Sequence, residues 1–219
     1  MLSLLCHLRS DQALTVLCLG AHSDDIEIGC GASLMALADR FPLAQFRWVV
    51  FTTEPGRDAE TRAAAAQLLD PSRLRLDIVP LRPSFLPADW SQLKDQFEAI
   101  KGTVQPDLIF THRLEDRHQD HRLVAEMTWN TWRNHLVLEY EIPKYEGDLG
   151  QPNVFIPISE ALVARKIATL MSAFVSQHSR NWFDEQTFRG LMRIRGVESQ
   201  SASGYAEAFH GRKLQLIGL

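Results

Sequence analysis

Two short polar segments contain most of the residues in this 219-residue sequence whose types and spacing suit chemistry. The first, Ala21–Glu27, has the sequence AHSDDIE, and the second, residues 111–121, has the sequence THRLEDRHQDH. Each directly follows an apolar run, and together they contain four of the eight histidines of the chain. Imidazole and carboxylate groups gathered in this way are typical ligands of a transition metal.

The spacing within each segment places two side chains on one face. His22 and Asp25 are three residues apart, so a tight turn or a first helical turn directs both toward one point. His118 and His121 have the same spacing. His22, Asp25 and one of these two histidines would supply the three protein ligands of a catalytic zinc site. An oxygen-only magnesium or calcium site would need more carboxylates. His112 is a rival ligand, but we expect it to line or support the site.

Hydrolysis by such a site also needs groups that move protons. Asp24 and the histidine that does not bind the metal remain close by, as a base for water and an acid for the leaving group. An aspartate pair in a turn is also typical of a helix N-cap, which is the alternative interpretation of Asp24 and Asp25. The second cluster, His118–His121, favours the metal site.

The two motifs together resemble the PIG-L/LmbE-like family of zinc-dependent N-acetyl-sugar deacetylases. Ala21–Glu27 is similar to the family's AHPDDE-type motif, and HQDH at His118–His121 is similar to its HPDH-type motif. Ser23 replaces the usual proline. Ile26 displaces the final acid of the first motif, so we assign no role to Glu27.

The resemblance implies a role for each of these polar residues. The ligands of a single Zn²⁺ ion, or of another divalent metal in its place, would be His22, Asp25 and His121. Asp24 would be the general base that acts on zinc-activated water. His118 would act as the acid or stabilise the tetrahedral intermediate, and Asp120 would hydrogen-bond near His118 and tune its charge. Arg62 falls where family members often have a substrate-binding arginine.

The implied substrate is a small molecule, an N-acetylated amino sugar of the N-acetylglucosamine type or a glycan, glycolipid or conjugate of one. Leu138–Leu149 and Tyr205–Phe209 also resemble late segments of bacterial members, although the segment YAEAF suggests no role. The five tryptophans offer flat faces for a sugar ring. Arg57, like Arg62, has a guanidinium group that could contact hydroxyls or a phosphate.

The elements that must position these side chains alternate between strands and helices. Such alternation predicts an α/β fold, a Rossmann-like three-layer sandwich with a mainly parallel sheet, as a single domain over residues 1–219. The predicted strands are 14–20, 46–52, 76–79, 107–111 and 137–140, and the predicted helices are 31–40, 58–69, 93–104, 118–134 and 161–175. The tail from Phe183 is expected to be helical to Ile194 and then irregular. Ligands of such sheets bind beyond the carboxyl ends of the strands.

The composition excludes several other classes of protein. With 45% hydrophobic and 23% charged residues, the chain is neither disordered nor a small disulfide scaffold. A net charge of −4 gives no general attraction to nucleic acid. Cys6, Cys18 and Cys30 suit reduced thiols, and Met1–Leu5 is too short for a signal-peptide core. We therefore expect a cytoplasmic protein without a transmembrane segment. The sequence is compatible with a homo-oligomer.

The main alternative is a Rossmann-type nucleotide- or sugar-binding protein without hydrolase activity. Gly29 and Gly31 follow a strand and open a helix, but Leu34 stands where the third glycine of the dinucleotide fingerprint belongs. Asp24 and Asp25 would also repel a pyrophosphate. A serine hydrolase is a weaker alternative, because the chain has no G-x-S-x-G motif.

Overall fold

The computed structural model describes residues 9–215, so Met1–Leu5 and Cys6 lie outside the described residues. Its strands are β1 Thr15–Gly20, β2 Gln45–Thr52, β3 Leu74–Leu81, β4 Leu108–Thr111, β5 Leu136–Tyr140, β6 Val154–Pro157 and β7 Ala206–Gly211. Its helices are α1 Asp25–Arg40, α2 Arg57–Leu68, α3 Trp90–Lys101, α4 Gln119–Thr131, α5 Glu160–Ala173 and α6 Glu185–Glu198. Over these residues, no helix is both long enough and apolar enough to cross a bilayer.

The seven strands form a sheet in the order β3-β2-β1-β4-β5-β7-β6. The five neighbouring strands from β3 to β5 in this order run parallel to one another, and β7 runs antiparallel to both β5 and β6. Helices α1, α2, α5 and α6 pack on one face, and α3 and α4 pack together on the other. The predicted α/β class, with three layers and a mainly parallel sheet, is confirmed.

The two central strands contribute to both hydrophobic cores. Along β1, Val16 and Cys18 belong to the core under α1 and α5, while Leu17 and Leu19 belong to the core under α3 and α4. This alternation follows from the two-residue period of a strand. A strand that is buried on both faces must be apolar throughout, which explains why the β1 sequence is a continuous hydrophobic run.

The C-terminal tail differs from the prediction. After α6 the chain forms β7, which lies between β5 and β6, whereas we expected irregular structure. The residues of the YAEAF segment are mostly buried in this strand, and the Glu207 carboxylate accepts hydrogen bonds from the backbone N–H groups of Ala32 and Ser33 in α1 and from Lys166 Nζ of α5. The sequence of β7 has only a weak strand pattern. Its hydrogen bonds come from strands that are distant in the sequence, so local propensity did not predict it.

The packing around Gly29 explains why a glycine stands near the start of α1. A Cβ atom added at Gly29 would lie 2.3 Å from the ring of Tyr140, whose hydroxyl donates a hydrogen bond to the Leu19 carbonyl at 2.7 Å. The missing side chain therefore allows α1 to approach β5. This packing role accounts for the glycine without a bound phosphate.

We expect Gly29→Ala to lower the free energy of unfolding by about 1–3 kcal/mol, because the added methyl group overpacks against a buried ring. Gly190→Ala is the matched control, since nothing lies within 4 Å of a Cβ atom added there in α6. That change should raise stability by about 0.5–1 kcal/mol through helix propensity. Urea unfolding of both variants measures the difference, and equal effects would contradict the packing role.

Candidate metal centre

The two polar segments meet at the carboxyl ends of β1 and β4, which are neighbouring parallel strands. From β1 the chain continues to β2 on one side, while β4 pairs on the other side, so the strand order reverses at this point. Ligand sites of open α/β sheets occur at such switch points. The 21–27 segment forms the turn after β1 and the first turn of α1, and the 111–121 segment connects β4 to α4.

Three side chains converge with the spacing of metal ligands. His22 Nδ1 lies 3.1 Å from His121 Nε2, and Asp25 places one carboxylate oxygen 3.4 Å from His121 Nε2 and the other 3.5 Å from His22 Nδ1. Ligand atoms about 2.0–2.1 Å from a tetrahedral zinc ion lie about 3.3 Å from one another. The donor atoms and their separations therefore fit a zinc-sized cation.

Carboxylates hold the other nitrogen of each of these histidines. His22 Nε2 lies 2.9 Å from Asp120 Oδ2, and His121 Nδ1 lies 3.1 Å from Asp116 Oδ2. Lys144 Nζ lies 3.0 Å from the same oxygen of Asp116. Such partners orient an imidazole so that its remaining nitrogen faces the metal. Neither Asp116 nor Lys144 was predicted to belong to the site, although Asp116 lies in the same polar segment as His121.

Asp120 has a different partner from the one that we expected. Its side chain bonds His22 and accepts hydrogen bonds from the backbone N–H groups of Ser84 and Leu86, at 2.6 Å and 3.2 Å. Toward His118, the Asp120 N–H donates a hydrogen bond to Nδ1 at 3.3 Å, and the charge of Asp120 opposes the lowering of the His118 pKa by burial. His118 is the N-cap of α4, and this bond fixes its ring. Asp120 thus orients His22.

Two further groups of possible ligands in the described part of the chain share His121. One combines it with His22 and His118, and the other with Asp25 and His112. The buried ring of His112 stacks on His121 with 3.9 Å between centroids, and its Nε2 lies 3.1 Å from Asp25 Oδ2 and accepts the Ala21 N–H at 3.0 Å. These contacts place His112 against both His121 and Asp25, and its role as a supporting residue rather than a ligand stays a prediction.

Asp24 is buried beside His22, Asp25 and His121 in a strained backbone conformation. Its φ of 101° lies in the left-handed region, which costs a non-glycine residue about 1–3 kcal/mol. Although Asp24 occupies the N-cap position of α1, its side chain makes no capping hydrogen bond. Arg57 Nη2 lies 3.1 Å from Asp24 Oδ2. Burial raises the pKa of the Asp24 carboxyl group, and the charge of Arg57 opposes this rise.

Charge and burial act on the neighbouring groups as well. Burial opposes protonation of His22, but hydrogen bonds with Asp120 and Asp25 outweigh it and raise the pKa of His22 to about 10. Burial lowers the pKa of His121 to about 3. Burial also raises the pKa of Glu27 to about 8, and its two carboxylate oxygens have no hydrogen-bond partner among the described residues. The site therefore concentrates buried groups whose protonation is perturbed, as functional sites do.

A cavity of about 250 Å³ opens above the cluster, and its lining includes Asp24, His118 and Arg57. Tyr145 and Trp182 also line it, and 68% of the Tyr145 surface is exposed. Arg62 does not line this cavity: it is exposed on α2, while Arg57, at the start of the same helix, reaches Asp24. One helix presents the two arginines to different surroundings.

The chain is similar to a protein family, to a bacterial protein and to several solved structures. The model of the family PIG-L, described as GlcNAc-PI de-N-acetylase, matches residues 17–132. The uncharacterized deacetylase YaiS of Escherichia coli K12 is 32% identical over 171 residues, which cover 71% of this chain and 88% of that protein.

Solved structures of two other proteins share the fold. The 4-carboxy-2-hydroxymuconate hydratase GalB of Pseudomonas putida KT2440 has a TM-score of 0.75 at 17% identity, over 94% of this chain and 99% of that one. The N,N'-diacetylchitobiose deacetylase of Pyrococcus horikoshii has a TM-score of 0.68 at 20% identity, over 90% of this chain and 83% of that one.

Proposed function

Because the chain belongs to the PIG-L/LmbE-like family of deacetylases, we propose that it is a zinc-dependent hydrolase that removes the acetyl group from an N-acetylated amino sugar. The observation that supports this most directly is the convergence of His22, Asp25 and His121 beside a buried carboxylate that is not a ligand, Asp24. The Pyrococcus deacetylase that shares the fold acts on an acetylated sugar, which supports the same substrate class.

The metal would be held by His22 Nδ1, His121 Nε2 and the Asp25 carboxylate. Two nitrogen donors and one oxygen donor suit zinc, and they leave a fourth position open. A bound zinc ion would polarise the acetyl carbonyl and lower the pKa of a water ligand toward about 7.

The residues around the metal would move the protons. Asp24 accepts a proton from water as the water oxygen bonds to the acetyl carbon, and Arg57 keeps the Asp24 carboxylate in place. His118 donates a proton to the nitrogen as the C–N bond breaks, or stabilises the negative charge on the oxygen before that step. The products are acetate and the free amine. Asp120 and Asp116 position the two ligand histidines.

The rest of the cavity suits a sugar. Tyr145 and Trp182 provide aromatic faces on which a sugar ring can stack. We assign the arginine contact to Arg57 rather than to Arg62, because Arg57 lines the cavity and Arg62 does not.

The test is release of acetate and free amine from N-acetylglucosamine and N,N'-diacetylchitobiose by metal-depleted protein before and after zinc is added. We expect turnover only with the metal, and loss of turnover with a chelator. Sugar binding without amine release would support the non-hydrolytic binding protein instead. The hydratase with the same fold shows that the fold alone does not determine the reaction, and free amine is the product that separates amide cleavage from hydration.

A further inference from the structure

Lys166 of α5 and Glu207 of β7 form an ion pair in the interior of the protein, where each side chain is only 3% exposed. Lys166 Nζ lies 2.5 Å from Glu207 Oε1, and neither residue lines the cavity above the metal site. Replacement of a buried ion pair by apolar side chains is often neutral or stabilising, so stability alone is a weak explanation for this pair. Its contacts with α1 indicate a second role.

The pair bonds the backbone in the middle of α1. The Ala32 N–H donates to Glu207 Oε1 at 3.1 Å, and the Ser33 N–H donates to Glu207 Oε2 at 2.6 Å. Lys166 Nζ donates to the Ile28 carbonyl at 2.5 Å. In a regular α-helix, the N–H of residue 32 would donate to the carbonyl of residue 28. Each of these two groups bonds a different member of the pair, so the ion pair is inserted between successive turns of α1.

This insertion divides α1 into two parts. A carboxylate that accepts from backbone N–H groups is typical of a helix N-terminus, so Glu207 caps the second part of α1. The first part begins at Asp25, directly after Asp24. Ile28 connects this part to the pair, because its N–H donates to the Asp24 carbonyl at 2.9 Å while its carbonyl accepts from Lys166. The orientation of the first part therefore depends on Lys166 as well as on the helix that follows.

The strained backbone of Asp24 makes such a support necessary. A positive φ at a residue other than glycine persists only where the surrounding structure holds it, and φ of Asp24 is 101°. The Asp24 side chain forms no capping bond, and its carbonyl bonds the Ile28 N–H. The charge-assisted hydrogen bond from Lys166 to Ile28 fixes the turn on which this conformation depends.

From these contacts we infer that Lys166 and Glu207 are positioning residues of the metal site, which set the first turn of α1 and thereby place Asp24 and Asp25 against His121. The inference rests on the proposed function, in which Asp25 binds the metal and Asp24 accepts the proton. His121 belongs to α4, so a movement of the first turn of α1 changes the separation of the ligand atoms. A misplacement of about 1 Å is enough to lower turnover about 100-fold.

The experiment neutralises the pair in the double variant Lys166→Met, Glu207→Gln, which leaves no unpaired buried charge. With zinc-loaded protein and N,N'-diacetylchitobiose, we expect kcat to fall about tenfold or more. KM should change less than about threefold, because the pair does not line the cavity. Zinc affinity, measured by competition with a chelator, should fall about 10–100-fold, as it does when residues that orient metal ligands are removed.

Arg73→Met is the matched control, because it weakens the opposite end of the same helix. Arg73 donates to the Ala38 and Phe41 carbonyls at the C-terminal end of α1 and to the Ala44 carbonyl beyond it. Even if this variant has a lower Tm, its kcat and zinc affinity should match those of the wild type. Equal losses in the control and the double variant would overturn the inference while the proposed function stands, and so would a folded double variant with wild-type kcat and zinc affinity.

Amide hydrogen exchange of the metal-free proteins separates this inference from the proposed function, since it requires neither zinc nor turnover. The Asp25 and Ile28 N–H groups bond the His22 and Asp24 carbonyls and make no contact with the pair. Their exchange should be faster in the double variant and unchanged in Arg73→Met. If no sugar is hydrolysed, the proposed function fails, and exchange at these two amides still decides: faster exchange supports the positioning role, and unchanged exchange refutes it. Glu207→Gln alone, which keeps the bond from Lys166 to Ile28, replaces the double variant if the latter does not fold.

Discussion

Replacing Asp24 with asparagine is expected to lower kcat by about 10²–10⁴-fold while zinc stays bound, which is the range that a positioned general base contributes. The amide keeps the shape of the carboxylate but cannot accept a proton from water. The metal should remain because the converging ligand atoms belong to His22, Asp25 and His121. Turnover of an acetamido sugar, together with elemental analysis of zinc, measures both parts of this prediction.

The backbone conformation of residue 24 can accept asparagine. Asparagine is among the residues that most readily adopt positive φ, so the substitution adds little strain at a φ of 101°. Glu54→Gln is the control, because it removes an exposed carboxylate from the same cavity and should leave kcat within a few-fold of wild type. Parental turnover in Asp24→Asn would show that another group accepts the proton.

Replacing His121 with alanine should remove both the metal and the activity. This imidazole is common to both groups of candidate ligands and is closest to the other ligand atoms, at 3.1 Å from His22 Nδ1 and 3.4 Å from Asp25. Only two protein ligands would remain, which is fewer than a catalytic zinc site uses. Zinc content after dialysis should fall close to zero, and acetate release should fall to background.

His118→Ala is the matched comparison, because it makes the same change one helical turn earlier. If His118 transfers a proton rather than binding the metal, this variant keeps stoichiometric zinc and loses turnover. The opposite pattern, in which zinc is lost from His118→Ala and retained in His121→Ala, would exchange the two roles. Thermal unfolding of the metal-free proteins shows whether either substitution also disturbs the fold.

Much of the scaffold was predictable because its signals are local. The buried run of β1 and the polar turn after it are adjacent in the sequence, so residue type and spacing alone indicate a strand followed by His22 and Asp25. Helix α1 begins at Asp25, six residues before the predicted start at residue 31, because the polar turn itself forms its first turn. A polar start with aspartates is as typical of a loop as of a helix N-terminus.

Partners across long separations were not predictable. Asp120 lies two residues from His118 in the sequence, yet its carboxylate forms a hydrogen bond with His22, which is 98 residues away. Arg57 and Arg62 have the same residue type and lie on the same helix, but only one lines the cavity. Strand β7 depends on pairing with β5 and β6 for its hydrogen bonds. None of these outcomes has a counterpart in local periodicity or propensity.

Residue types and local spacing fix which groups are available for chemistry and the strands at whose ends they lie. An apolar strand buried on both faces and a three-residue spacing are properties of short segments. The packing of the elements in three dimensions brings Asp116 and Asp120 to the two histidines and Arg57 to Asp24. These contacts depend on how whole helices and strands are placed relative to one another. The packing of both hydrophobic cores against one sheet sets that placement, and no single segment of the sequence encodes it.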